Sequence, residues 1–423
     1  MLCLTLPASV PVLALDPVET SVAEAVDGAT ARYTEVLERA VNINSGSMNF
    51  PGVRKVGDLF AEEFEALGFT TEWVDGAAFN RAGHLVARRG TRGPKVLLIG
   101  HLDTVFASDS PFQRFEVVDE HHTAGPGIAD MKGGNVVMLL ALSALAEAGL
   151  LDDLQLTAVL TGDEELRGRP LDVANAALVD AARWADVALG FENGDNDPHT
   201  VATARRGSTS WRLEVTGKPA HSSQVFREDI GDGAAFELAR ILTAWREALR
   251  AEENLTFNPG VLVAGTDVSL DATSGRGDVF GKSNVIARSA LVNGGIRAVS
   301  PEQLRRAQEV MHKVAADNSP HSSAVLTFSE GYPPMPSTEG NRQLLALYST
   351  VSEELGYGPV TPVDPRRAGA ADISFAAGYV EQAIDGLGLL GSGGHTVDEM
   401  ADMRLLPQQA KRAAILLRRL AQQ

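Results

Sequence analysis

Cysteine is nearly absent: one residue, Cys3, stands in a chain of 423. A single thiol cannot close an internal disulfide, and a thiolate zinc site needs more than one. Any metal must therefore be held by His, Asp and Glu. Basic charge is also short, with 37 Lys and Arg against 55 Asp and Glu and a formal net charge of -18. This excludes a nucleic-acid surface, because phosphate binding needs a net basic patch. The acidic balance suits a cation site but is too common to identify one. No apolar run reads as long enough to span a bilayer, so no membrane partner is expected. Neither an internal repeat nor a low-complexity tract is visible. Lys and Arg are missing altogether ahead of Arg32. The apolar stretch Met1–Leu15 thus resembles the core and cleavage region of a signal peptide without its basic start. Residues 1–16 are read as either a signal segment or an N-terminal arm. The first reading places the protein in the periplasm or outside the cell, and the second in the cytoplasm.

Hydrophobic residues make up 44% and charged residues 22%, ordinary values for a globular chain, and the length suits two domains. Helical patterns open the sequence at Thr20–Val41 and Val53–Leu67, the second closed by Gly68. A short strand near His84–Ala87 follows. Continuous apolar runs at Val96–Ile99, Leu154–Leu160 and Val187–Leu189 then alternate with helices at Gly134–Ala148 and Val173–Val179. Such runs read as a doubly wound, mostly parallel sheet covered on both faces, an α/β fold. From Trp211 the pattern becomes alternating, and strands and helices follow in the order β-α-β-β-α-β as far as Phe328. That order fits an inserted ferredoxin-like α+β domain at residues 206–329. The first domain would comprise residues 17–205 and 330–423.

The ligand-type residues fall at the ends of the apolar strands. His101 and Asp103 follow Val96–Ile99, and Asp130 precedes a helix in the run from Gly127 to Gly134. Glu164 and Glu165 end the strand that begins at Leu154, Glu192 ends the next, and His395 follows the apolar stretch through Leu390. In an open α/β sheet the carboxyl ends of the strands are where ligands bind. Taken singly, each residue has a plainer reading: a loop histidine, a solvated strand end, a helix cap at Asp130, a polar turn at Glu192. Their convergence on one edge is what argues for chemistry.

The combination of His-x-Asp, Gly-x-x-Asp-Met-Lys-Gly-Gly and the Glu-Glu pair, in this order, resembles the co-catalytic zinc peptidases. That family includes bacterial glutamate carboxypeptidase, aminoacylase, acetylornithine deacetylase and succinyl-diaminopimelate desuccinylase. The resemblance runs from about Val53 to the C-terminus. It implies two zinc ions, with cobalt or manganese as substitutes. His101 and Glu192 would hold one ion, Glu165 and His395 the other, and Asp130 would bridge them. It also implies Asp103 as the residue orienting the His101 ring, Glu164 as general base, and a cis peptide after Asp130. His221, in Gly217–Ser222, matches a histidine that reaches a neighbouring active site in a dimer and stabilises the oxyanion. Asn284 and Arg297 match the polar pair that holds the substrate carboxylate, and Gly394 lies in a glycine run that lets backbone approach the substrate. Two positions depart from the family pattern: Gly295 replaces an aspartate and Ala287 a proline.

These residues lead to a metal-dependent hydrolase of amide bonds beside a free carboxylate, most like a glutamate carboxypeptidase. Its substrate would be a peptide or N-acyl amino acid, and the inserted domain would carry a homodimer contact. An N-acyl amino acid deacylase would use the same metals with a different pocket. A non-catalytic metal-binding protein of the same fold has no need of Glu164. A dinucleotide site at Gly391–Gly394 lacks the Gly-x-Gly-x-x-Gly spacing.

Overall fold

The computed structural model describes residues 14–271 and 274–423. Cys3 and most of the expected signal segment lie outside the described residues. Two compact units divide the chain. The first runs to Thr203 and takes in Thr338–Val363 and Tyr379–Gln423; the second comprises Ala204–Ser337 and Asp364–Gly378.

The first unit opens with α1 (Pro17–Val41) and α2 (Phe50–Ala66). A capping box places the start of α1: Asp16 accepts from the Glu19 N–H, and the Glu19 carboxylate accepts from the Asp16 N–H. Strands β1 (Thr70–Asp75), β2 (Gly83–Arg89) and β3 (Lys95–His101) follow, then α3 (Gly133–Glu147), β4 (Gln155–Thr161), α4 (Ala176–Trp184) and β5 (Val187–Gly190). In the second unit come β6 (Thr209–Gly217), α5 (Gly233–Leu249), β7 (Thr256–Gly265), β8 (Ser289–Arg297), α6 (Pro301–Ala316) and β9 (Ser322–Phe328). The chain returns to the first unit with α7 (Glu339–Glu354), β10 (Gln382–Ile384) and α8 (Leu405–Leu420).

The central sheet has the order β1-β2-β4-β3-β5-β10. From β4 to β10 its neighbours are parallel, while β2 runs antiparallel to both β1 and β4. Val96, Leu97, Leu98 and Ile99 are all buried, as in a strand covered on both faces. The chain passes from β3 to β4 on one side and then to β5 on the other. That makes the carboxyl end of β3 a topological switch point, where such sheets form their ligand crevice.

Sequence reading found no apolar run of spanning length. Ile128–Glu147 does meet the length, with a mean hydropathy of 1.4, but 89% of it is buried inside the protein. It is apolar all round because it is a core helix.

The second unit has the sheet order β7-β8-β6-β9, antiparallel throughout, with β-α-β-β-α-β connectivity. This is the ferredoxin-like arrangement. Trp211, Leu213 and Val215 point into its core with Trp245 and Met311, while Arg212 and Glu214 alternate to the other face. Its extent differs from residues 206–329. Met335 pairs with Arg205, and Asp364–Gly378 packs here because Arg206 donates to the carbonyls of Pro365 and Arg366 at 3.1 and 3.0 Å.

Candidate metal centre

His101 is the last residue of β3, and its ring orientation is set from behind. Nδ1 lies 2.9 Å from the Asp103 carbonyl, which makes Nδ1 the donor and leaves Nε2 facing the crevice. There Nε2 lies 3.2 Å from Asp130 Oδ1 and 3.5 Å from Glu192 Oε1. The other Asp130 oxygen, Oδ2, is 3.2 Å from His395 Nε2, which is itself 3.3 Å from Glu165 Oε2. The structure thus brings together two groups able to hold a cation, His101–Asp130–Glu192 and Asp130–Glu165–His395, and Asp130 belongs to both.

Electrostatics shows how short of positive charge this cluster is. Burial, and then the Asp130 charge, pushes the Glu165 carboxyl up to about 10. Glu192 is raised well above its ordinary value for the same reasons. Burial opposes a charged His101 ring, but Glu192, Asp103 and Asp130 outweigh it and raise its pKa. Glu165 Oε1 is buried without a hydrogen-bond partner, and an orphaned carboxylate oxygen is costly unless a cation takes it. Three carboxylates and two imidazoles form an N/O donor set that fits two divalent ions.

Asp103 differs from the expectation in detail. It orients the His101 ring through its carbonyl, and its carboxylate lies 3.5 Å from Nδ1. The carboxylate instead accepts from Ser47 Oγ at 2.6 Å and from the N–H groups of Glu164 and Glu165 at 3.0 and 3.1 Å. One side chain therefore pins the backbone that presents both glutamates. The Glu164 charge adds to the upward pull on the pKa values of Glu165, Glu192 and His395.

Sequence reasoning missed Glu399. Fully buried, it accepts from the N–H groups of Gly127, Ala129 and Asp130 at 3.0, 2.9 and 3.1 Å and so holds the turn that carries Asp130. Burial pushes its carboxyl up to about 7 although these three donors pull the other way. The Asp130–Met131 peptide in this turn is cis. Asn135 donates to the His101 carbonyl at 2.7 Å, tying α3 to β3. Gly134 permits close packing there, since a Cβ would sit 1.9 Å from the Phe191 carbonyl oxygen.

In the glycine run before His395, the conformational need falls on Gly393. Its φ is 71° and a Cβ would lie 2.3 Å from the Asp398 carbonyl oxygen. At Gly394 a Cβ would meet only Asn193 Nδ2, at 3.8 Å.

His221, Asn284 and Arg297 belong to the second unit. The Ser222 N–H donates to the Asn284 carbonyl at 2.9 Å and His221 bridges Val285, so the His221 and Asn284 loops lie side by side. Arg297 is exposed and makes no ion pair among the described residues. Burial and the charges of Arg297 and Arg366 depress the Arg206 pKa, which marks a local concentration of guanidinium groups in an acidic chain.

Comparison with known proteins adds the lineage. The model of peptidase family M20/M25/M40 matches residues 97–423. Carboxypeptidase G2 of Pseudomonas sp. (strain RS-16) is 27% identical over 394 residues, covering 90% of this chain and 88% of its own. Succinyl-diaminopimelate desuccinylase of Magnetococcus marinus is 27% identical over 379 residues, covering 84% and 91%. A solved Bacillus subtilis structure, described as a dinuclear metal binding peptidase from the M20 family, aligns with a TM-score of 0.64 at 14% identity. It covers 94% of this chain and 99% of that one, a likeness of fold. With the family model matching most of its length, the chain belongs to peptidase family M20/M25/M40 as a metallopeptidase that hydrolyses amide bonds.

Proposed function

We propose that this protein cleaves an amide bond beside a free carboxylate in the manner of a glutamate carboxypeptidase, using two zinc ions and Glu164 as general base. The observation that carries the reading is the sharing of Asp130 between two ligand groups, with the Glu164 charge acting on both. His101, Glu192 and Asp130 would hold one ion, and Glu165, His395 and Asp130 the other. Cobalt and manganese suit the same donors. Bound there, two ions would polarise the amide carbonyl and lower the pKa of the attacking water.

The remaining steps fall to side chains. Glu164 takes the proton of the attacking water and delivers it to the leaving amine nitrogen. Asp103 keeps Glu164 and Glu165 in register by accepting from both backbone N–H groups. Arg297 and Asn284 bind the substrate carboxylate. His221 would stabilise the oxyanion from a second copy in a homodimer formed through the inserted domain, and Gly394 would line the substrate path.

A deacylase of N-acyl amino acids is the second reading, favoured by the equal identity to the desuccinylase. A non-catalytic metal-binding protein is the reading from another class. The test is hydrolysis of dipeptides and N-acyl amino acids, with and without chelator, by wild type and Glu164→Gln. Chelator should abolish turnover, and the variant should keep two metals yet lose about a hundredfold or more in kcat. Two bound metals with no substrate cleaved would favour the binding protein. No bound metal at all would overturn the ligand assignment.

A further inference from the structure

Asp130, Glu164 and Glu165 are presented by turns that rest on buried carboxylates. Glu399 accepts from the backbone of the first, and Asp103 from that of the other two. The turn that presents Glu192 has a carboxylate of its own. Asp385, buried and next in sequence after β10, accepts from the Glu192 N–H at 3.3 Å and from the Gly386 N–H at 2.7 Å. Both bonds fall on the same oxygen, Oδ1.

The surrounding backbone is built around this contact. In the parallel pairing of β10 with β5, Ile384 lies opposite Leu189, which brings Asp385 level with Gly190. A Cβ at Gly190 would lie 2.2 Å from Asp385 Oδ1, so glycine there makes room for the acid. Asp385 is itself anchored, exchanging both backbone hydrogen bonds with Ala202 at 2.9 and 2.7 Å. On the other side the Phe191 N–H donates to the Ile99 carbonyl at 3.0 Å, and the Gly388 N–H to the Glu192 carbonyl at 2.9 Å. The Glu192 main chain is thereby fixed relative to β3, at whose end His101 stands, with its Nε2 3.5 Å from Glu192 Oε1. Groups that hold a metal ligand from behind set its geometry, and their loss typically weakens binding by roughly 10–100-fold.

We propose that Asp385 is a positioning residue for Glu192, and that through it the chain sets the affinity of one ion, the one held by His101, Asp130 and Glu192. The inference rests on the ligand assignment proposed above. Its agent is the accepting oxygen, so a neutral side chain that keeps Oδ1 in place would hold the same two N–H groups.

The test is chelator-competition titration of zinc into the metal-free full chain. Wild type should bind two ions, and Glu192→Ala identifies the binding step that belongs to the His101 group. Asp385→Ala should weaken that step by about tenfold or more and leave the other within about twofold. Asp385→Asn should recover most of the loss. Gly190→Ala, whose Cβ displaces the carboxylate, should weaken the same step, yet add nothing to Asp385→Ala, where the space is free. Hydrolysis by Asp385→Ala should fall at limiting zinc and return with excess zinc, which a fault in folding would not allow. Wild-type affinities in Asp385→Ala, equal weakening of both steps, or an Asp385→Asn chain as weak as Asp385→Ala overturns the proposal. If Asp385→Ala does not fold, Gly190→Ala decides: a selective loss supports the assignment and an unchanged step overturns it. Wild type that binds no zinc overturns the ligand assignment and this inference with it.

Discussion

The first unit buries two groups of carboxylates and answers them differently. Where α1, α7 and α8 meet, Arg418 lies 2.7 Å from Asp16 and 3.0 Å from Glu19. Arg419 lies 2.8 Å from Glu19 and also pairs with Glu354. Burial would raise the Glu19 carboxyl, yet the Arg419 hydrogen bond and the Asp16 backbone hold it below its usual range. At the sheet edge Asp130, Glu165 and Glu192 face two imidazoles, none of the three pairs with an arginine among the described residues, and Glu165 stands at about 10. Permanent guanidinium charge completes the first group within the chain, whereas the second reaches balance only with cations from outside. Buried acid by itself marks neither stability nor catalysis; the kind of counter-charge separates them.

The strongest way to break the contrast is Asp130→Ala, which removes one oxygen from each ligand group. Metal analysis should show both zinc ions lost and hydrolysis gone; two retained ions would refute the shared ligand. Arg419→Ala probes the other group by leaving Glu19 and Glu354 short of a cation. Breaking a fully buried pair costs about 3–5 kcal/mol, and since Arg419 is 16% exposed a loss of about 2–3 kcal/mol is expected in urea unfolding. Zinc content should stay the same. The smallest effect concerns acid. Because folding lowers the Glu19 pKa, its contribution is present above the ordinary value of 4.5 and lost as pH falls through the folded-state value. Glu19→Gln should therefore lose stability less steeply on acidification than wild type, and parallel curves would remove Glu19 from the account.

The same contrast explains what the sequence makes legible. Parallel strands such as Val96–Ile99 stand out because both faces are buried and the apolar run is unbroken. β1 does not, since Thr70–Asp75 is a partly exposed edge strand with a weak alternation. The exposed hairpin pairing Asp267–Leu270 with Gly277–Phe280 is equally faint. Helix α2 begins at Phe50, before its apolar pattern, because Asn49 caps it through the Gly52 N–H. His101, Asp130, Glu165, Glu192 and His395 are visible as polar residues at the ends of apolar runs, and the structure brings all five together. Glu399 is invisible in this way, because its partners are backbone N–H groups in a remote segment that no side-chain pattern records. The double duty of Asp103 depends likewise on which of its oxygens faces which neighbour.

The placement of the ligands along the chain has a consequence for how the protein is made. His101, Asp130, Glu165 and Glu192 all precede the second unit in the sequence, whereas His395 follows it. A nascent chain thus carries every residue of one group, and all but His395 of the other, before the inserted domain is translated. An ion at the second group would then act as a late fastener, joining stretches of chain that lie on either side of a separate fold in the sequence.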